Sequence, residues 1–135
     1  SGTAAMFLSL KACNIGLGDE VIVPDLTFIA TANAVDMCGA VPKFVDIEPE
    51  TLNIDPHAVE SAINQKTKAV MPVHVTGRSA YMVAILEIAD KYNLFVIEDA
   101  AEAFMSKSNG KYLGTFGNTG CFSFSHDFLN TLPTS

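Results

Sequence analysis

One apolar segment of this chain ends abruptly in two adjacent acids. Val96 and Ile97 are followed at once by Glu98 and Asp99, and small residues come next. A short apolar run of this kind is typical of a strand buried in a parallel sheet. Ligands of open α/β sheets sit beyond the carboxyl ends of the strands, so an acid at this point faces a crevice and not the core. Asp99 is therefore the first candidate functional residue.

The rest of the chain alternates between apolar runs and segments with helical periodicity. This pattern predicts the α/β class, with a mostly parallel sheet and crossover helices. We expect strands at 21–23, 43–47, 68–75, 94–97 and 120–124, helices at 4–14 and 31–37, a short helix begun by Asp55 and Pro56, a helix carrying Met82, Ile85, Leu86 and Ala89, and a tight turn at Asn109 and Gly110.

Three positions near the expected crevice have two interpretations each, and a fourth has none of its own. Asp99 is either a cap for the following segment or a partner for the ring nitrogen of a cofactor such as pyridoxal phosphate (PLP). Thr3, at a helix start, is either part of an ordinary cap or part of a phosphate site. Phe28 is either a core residue or a stacking platform, and Ser123 has no assigned role by itself.

Composition excludes several classes of protein. The chain has 8 basic and 15 acidic residues, a net charge of −7, and no basic run, which argues against nucleic-acid binding. No apolar stretch is long enough for a membrane span, and the amino end lacks a signal-peptide pattern. Cys13, Cys38 and Cys121 lack metal-site spacing, so we expect free thiols, no bound metal and a cytoplasmic protein.

Seven runs, taken together and in order, resemble one family. They are SGTAA, DEVIVPDLTFIATANAV, GAVPKFVDI, TLNIDP, TKAVMPVHVTGR, VIEDAAEA and GCFSFS. They are similar to the nucleotide-sugar aminotransferases of the DegT/StrS type, which are PLP-dependent enzymes of fold type I. The similarity covers residues 1–125, and it implies that these form part of the cofactor-binding large domain.

The resemblance assigns a role to each candidate residue. Thr3 and Ala4 would bind the cofactor phosphate through their backbone, with a further contact from Ser123. Phe28 would stack on the pyridine ring and Asp99 would pair with its nitrogen. Glu102 matches a position near the cofactor hydroxyl. The family uses a nucleotide-linked keto sugar and glutamate or glutamine as substrates, and it works as homodimers.

The resemblance stops at the residue that matters most for chemistry. The Schiff-base lysine of the family follows the strand serine by five positions, and here that slot falls on Phe128. His126 is a weak substitute, because it lies two positions early for the histidine found in related PLP-dependent sugar dehydratases. His74 is better interpreted as a satisfied strand-end residue. No lysine follows Lys111.

We therefore expect an incomplete aminotransferase. Residues 126–135 form a divergent tail, the small domain is absent, and the chain is truncated before the Schiff-base lysine. The expected substrate class is a nucleotide-linked 4-keto-6-deoxy sugar, with synthesis of the GDP-perosamine type as the first choice. The alternatives are a non-catalytic PLP-binding or structural remnant, and a lysine-less dehydratase relative. Exposed apolar surface predicts a homo-oligomer.

Overall fold

The computed structural model describes residues 1–125, which form four α-helices and seven β-strands. The helices are α1 (Gly2–Ala12), α2 (Ala30–Met37), α3 (Pro56–Ala62) and α4 (Met82–Tyr92). The strands are β1 (Glu20–Pro24), β2 (Val41–Val45), β3 (Thr67–Val70), β4 (Phe95–Asp99), β5 (Lys107–Ser108), β6 (Lys111–Tyr112) and β7 (Thr119–Cys121). The predicted α/β class and mostly parallel sheet are confirmed.

The sheet has five parallel strands in the order β2-β1-β3-β4-β7, and β5 and β6 form a separate antiparallel hairpin. Successive strand residues face opposite sides, and the core divides accordingly. Val21 and Ile97 pack with α1 and α2, whereas Ile22 and Val96 pack with α3 and α4. The result is a three-layer structure with helices on both faces.

Local chemistry explains where most elements begin and end. The Ser1 hydroxyl caps α1, and the Asp55 carboxylate accepts a hydrogen bond from the His57 N–H at the start of α3. Helix α4 ends at Tyr92, and Asn93 caps it in the left-handed conformation that is common at helix ends. None of the helices within residues 1–125 is long and apolar enough to cross a membrane.

Two predicted strands are longer than the observed ones. The strand predicted at 68–75 ends at Val70, since Pro72 cannot donate a ladder hydrogen bond, although Val73 still bridges to Asp99. The strand predicted at 120–124 is Thr119–Cys121, so Ser123 lies beyond its end. Both corrections lengthen the loops at the same edge of the sheet.

The strand order determines where a ligand can sit. From β1 the chain moves outward to β2, returns to β3 on the other side of β1, and continues through β4 to β7. Connections from β1 and β3 therefore leave in opposite directions, which opens a crevice at their carboxyl ends. The segments that follow β1, β3, β4 and β7 all reach this crevice.

The pairing of β4 with β7 depends on a glycine. A side chain at Gly120 would overlap the Gly114 carbonyl oxygen. We predict that Gly120→Ala lowers the free energy of unfolding by about 1–3 kcal/mol, the cost of overpacking a tight site. The measurement is urea unfolding followed by circular dichroism.

Gly16→Ala is the matched control. A methyl group there meets only the Cys38 carbonyl oxygen, at 3.6 Å, which is ordinary contact. It is expected to change stability by less than about 0.5 kcal/mol. Equal stability of both variants would contradict the close approach of the loop to β7.

Candidate cofactor site

A cavity of ≈ 300 Å³ lies at the carboxyl edge of the sheet. This volume is at the lower end of the range found for small-molecule sites. Its wall is built from the start of α1 and from the loops after β1, β3, β4 and β7. The cavity brings together five of the six residues proposed from the sequence: Thr3, Phe28, Asp99, Glu102 and Ser123.

Asp99 lies at the cavity with only 4 % of its surface exposed. It is the last residue of β4, on the same side of the sheet as Ile97, so its side chain reaches the α1 and α2 layer. The Thr31 hydroxyl donates to its Oδ2 at 2.7 Å, and the Ala101 N–H donates to its Oδ1 at 3.1 Å. The second bond caps a turn, so Asp99 caps the following segment and also faces the cavity.

Burial raises the pKa of Asp99 above its ordinary value. The hydrogen bonds from Thr31 and Ala101 lower this pKa, but by less than burial raises it. The nearby carboxylate of Glu102 raises it further. A cation placed against Asp99 would favour its ionised form, because an opposite charge within a few ångströms stabilises a carboxylate.

Glu98 points to the other side of the sheet and is fully buried. Its Oε2 accepts hydrogen bonds from His74 Nε2 at 2.9 Å and from the Gly114 N–H at 2.7 Å. Its Oε1 accepts from the N–H groups of Phe116 and Gly117, both at 2.6 Å. One carboxylate thus holds the loop between β6 and β7 against β4.

Two opposing effects set the charge of this carboxylate. Burial by itself raises the pKa of Glu98, but the hydrogen bonds from His74, Gly117 and Gly114 outweigh it, and the net shift is downward. His74 Nδ1 accepts from the Ala80 N–H at 3.1 Å, so the ring proton sits on Nε2 and is donated to Glu98. His74 is fully buried and satisfied at both nitrogens, as the sequence suggested.

Helix α1 begins at the cavity. Ser1, Gly2 and Thr3 line it, and Ser123 and Ser125 lie opposite, with their hydroxyl oxygens 3.2 Å apart. A Cβ on Gly2 would lie 3.3 Å from the Ser123 Cβ, so glycine lets the helix start approach β7 closely. Free N–H groups at a helix start, with hydroxyl groups beside them, suit a phosphate.

Ala4 is placed differently from the other five candidates. It is not among the described residues that line the cavity, and its N–H donates to the Ser1 hydroxyl at 3.3 Å. A phosphate could use this N–H only in place of that bond. Phosphate binding by the Ala4 backbone therefore stays a prediction.

Phe28 and Glu102 lie on two other walls of the cavity. Phe28 follows β1, is 63 % exposed and lines the cavity. Glu102 follows β4, and its Oε2 accepts a hydrogen bond from the Thr76 N–H at 2.8 Å. The two carboxylates at the cavity are therefore Asp99 and Glu102, and no described lining residue has a cationic side chain.

Sequence reasoning missed several residues of this region. Thr31 holds Asp99, Glu98 anchors a loop, and Val75 and Thr76 form one wall. The spacing of Thr27 and Thr31, four residues apart before and within α2, could have indicated a shared polar face. His126 and Phe128 lie outside the described residues. Residues 1–125 contain no group of three or more side chains able to hold a metal ion.

A protein-family model matches this chain over residues 1–127, and its description is the DegT/DnrJ/EryC1/StrS aminotransferase family. The chain belongs to this family. The match covers every segment that contributes to the cavity. It confirms the resemblance inferred from the ordered motifs.

Individual relatives agree with this assignment. The chain is 52 % identical over 124 residues to a GDP-perosamine synthase of Caulobacter vibrioides, covering 92 % of this chain and 33 % of the relative. It is 50 % identical to a UDP-N-acetyl-3-dehydro-alpha-D-glucosamine 3-aminotransferase of Acidithiobacillus ferrooxidans, with 92 % and 34 % coverage. The chain thus spans about a third of the length of these curated relatives.

Among solved structures, NtdA of Bacillus subtilis with its bound cofactor PMP is similar, with a TM-score of 0.79 and 46 % identity. The match covers 84 % of this chain and 26 % of that one. A fold likeness at this identity supports the family assignment. PMP is the amino form of PLP, so a relative with this fold holds that class of cofactor.

The two adjacent carboxylates should respond in opposite ways to loss of their charge. In the cofactor-free chain at pH 7, we predict that Asp99→Asn raises the free energy of unfolding by about 1 kcal/mol, the scale of a single buried substitution. The side-chain amide of an asparagine at position 99 can donate to the Thr31 hydroxyl oxygen. The Thr31 hydroxyl can then donate to the Thr27 hydroxyl oxygen, 2.7 Å away. Glu98→Gln should lower stability by about 3–5 kcal/mol, since its amide group would face N–H donors.

The pH dependence follows from the two pKa shifts. Because the pKa of Asp99 is raised in the folded protein, folding favours the protonated side chain. The resulting contribution to folding stability is complete below about pH 3.9 and is lost as the pH rises through the pKa of the folded state. Because the pKa of Glu98 is lowered in the folded protein, its ionised carboxylate stabilises the fold above about pH 4.3. This stabilisation is lost as the pH falls through the pKa of the folded state. Chemical unfolding from pH 3 to 8 measures both; equal slopes in the two variants would contradict the assignment.

Proposed function

We propose that residues 1–125 are the cofactor-binding part of a PLP-dependent aminotransferase that acts on a nucleotide-linked keto sugar. The observation that carries the proposal is the placement of Asp99 at a cavity that also receives Phe28 and the start of α1. An acid, an aromatic ring and a helix start match a charged ring nitrogen, a flat ring and a phosphate.

Each of these residues has a defined task in the proposal. The Thr3 N–H at the start of α1 and the Ser123 hydroxyl bind the cofactor phosphate. Phe28 packs on one face of the pyridine ring, and Glu102 lies near its hydroxyl group. When bound, the cofactor supplies an electron sink that makes amino-group transfer possible.

Asp99 performs the most demanding task. Its carboxylate would accept a hydrogen bond from the protonated ring nitrogen of the cofactor and keep that nitrogen charged. The two bonds from Thr31 and Ala101 orient the carboxylate while leaving lone pairs free on both oxygens. Because only 4 % of the Asp99 surface is exposed, the attraction between the two charges is stronger than it would be in water.

The residue at the expected position of the Schiff-base lysine limits what this chain can catalyse. Phe128 occupies the expected lysine position, and no lysine follows Lys111. We infer that this chain holds PLP without a covalent link and does not turn over by itself. The same observation supports the second candidate, a non-catalytic PLP-binding protein.

The sugar substrate is a finer part of the proposal. A 4-keto-6-deoxy sugar on a nucleotide, as in perosamine synthesis, agrees with the similarity to GDP-perosamine synthases at 52 % identity. Glutamate is the proposed amino donor. A nucleotide sugar of this kind is made and used in the cytoplasm, where we place the protein.

PLP binding tests the proposal directly. We predict that the 135-residue chain binds PLP with micromolar affinity in titration calorimetry. Asp99→Asn should weaken binding about 100-fold or more, because losing one partner of a buried ion pair costs about 3–5 kcal/mol. No turnover is expected with glutamate and a GDP-linked 4-keto-6-deoxy sugar.

Asp90→Asn is the control for this titration, since Asp90 is an exposed residue of α4 on the far side of the sheet. It should bind PLP as the wild type does. No PLP binding by the wild type would refute the cofactor assignment. Turnover would refute the assignment of the lysine position.

We also propose self-association, because large apolar side chains in and beside α1 and α2 lie exposed. Leu8, Phe28 and Ile29 are 65 %, 63 % and 67 % exposed. Ile29→Arg should shift the sedimentation profile toward monomer. Val83→Arg, at a 63 % exposed position on the opposite layer, should not. A monomeric wild type at working concentration would contradict the proposal.

A further inference from the structure

One wall of the cavity has a strained backbone. Thr76 lies in a turn after β3, with φ 51° and ψ 34°. This left-handed conformation is unfavourable for a β-branched residue and persists only where the surroundings enforce it. Val75 and Thr76 both line the cavity, so whatever enforces this turn also shapes the site.

Asn53 holds this turn from inside the protein. It lies between β2 and α3, and only 1 % of its surface is exposed. Its Nδ2 donates to the Arg78 carbonyl at 3.2 Å and to the Ser79 carbonyl at 2.9 Å. Its Oδ1 accepts from the Val75 N–H at 3.1 Å. All three bonds go to the backbone of one segment, so the side chain acts as a template for it.

Glu102 holds the same turn from the cavity side. The Thr76 N–H donates to its carboxylate at 2.8 Å, while the preceding N–H of Val75 points to Asn53. Two consecutive backbone N–H groups are therefore taken by two side chains on opposite sides of the turn. Changing the turn at either residue would move the donor that holds Glu102.

We propose that Asn53 is a positioning residue of the cofactor site, which fixes the Val75–Thr76 turn so that the Thr76 N–H holds Glu102 at the cavity. The inference rests on the proposed function, since it concerns the same cavity. It also gives a role to Asn53 in the TLNIDP run, whose Asp55 and Pro56 begin α3. Asn53 does not itself line the cavity; it acts through the Val75–Thr76 turn on Glu102.

A double-mutant cycle tests this coupling, with PLP as the probe. Asn53→Ala and Glu102→Ala should each weaken PLP binding about tenfold, and the double variant should be no more than about tenfold weaker, because both remove the same arrangement. Independent, merely structural effects would multiply to about 100-fold. That outcome, or unchanged affinity in Asn53→Ala, would overturn the proposal.

Asn118→Ala is the matched control. Asn118 also holds backbone through its amide, accepting from the Val96 N–H at 2.8 Å, but at the amino end of β4. It should lower thermal stability to an extent similar to Asn53→Ala and leave PLP affinity unchanged. Titrations are made at a temperature where every variant is folded. A loss of PLP affinity in Asn118→Ala equal to that in Asn53→Ala would show a purely structural effect and overturn the proposal.

Amide hydrogen exchange separates this proposal from the proposed function. In the cofactor-free chain, Asn53→Ala should speed exchange at both Val75 and Thr76, whereas Glu102→Ala should speed it at Thr76. If the wild type fails to bind PLP, the cofactor assignment fails, yet this exchange pattern still tests the positioning. Unchanged exchange at Thr76 in Asn53→Ala overturns the positioning role whether or not PLP binds.

Discussion

A buried negative charge at the end of β4 organises the edge of the sheet on which the site depends. Glu98 accepts four hydrogen bonds, one from His74 and three from the loop between β6 and β7, so its burial does not leave it unsatisfied. Buried charges are tolerated only under such conditions. Through these bonds Glu98 ties the loop before β7 and His74, which follows β3, to the end of β4.

The two neighbouring acids show how one strand serves stability and function at once. Alternation along β4 sends Glu98 into a ring of donors and Asp99 into a cavity with two. The donors lower the pKa of Glu98, while burial raises that of Asp99. The acid that is best satisfied supports the fold. The two hydrogen bonds to Asp99 do not offset its burial, so its carboxylate can still be stabilised by a cationic ligand, as functional groups often can.

Much of this arrangement could be predicted from the sequence, but for unequal reasons. The break after Ile97 indicated Asp99, since ligands of open α/β sheets sit beyond the carboxyl ends of the strands. Thr3 and Phe28 followed because strand ends and helix starts meet at that edge. Glu98 could not be assigned, because its partners come from Gly114 to Gly117, which no local pattern links to it. Asn53 was hidden for the same reason, as its bonds reach residues 22 to 26 positions away.

The strained residues of the site face the cavity, and the residues that stabilise the fold lie behind them. Thr76 and Asp99 face the cavity and are individually unfavourable for folding, whereas Asn53, His74 and Glu98 lie behind them and are fully hydrogen-bonded. Strain of this kind persists only where other contacts outweigh it. The bonds that keep the turn and the loop in place therefore come mainly from residues behind the cavity, and Glu102 adds one from the cavity side.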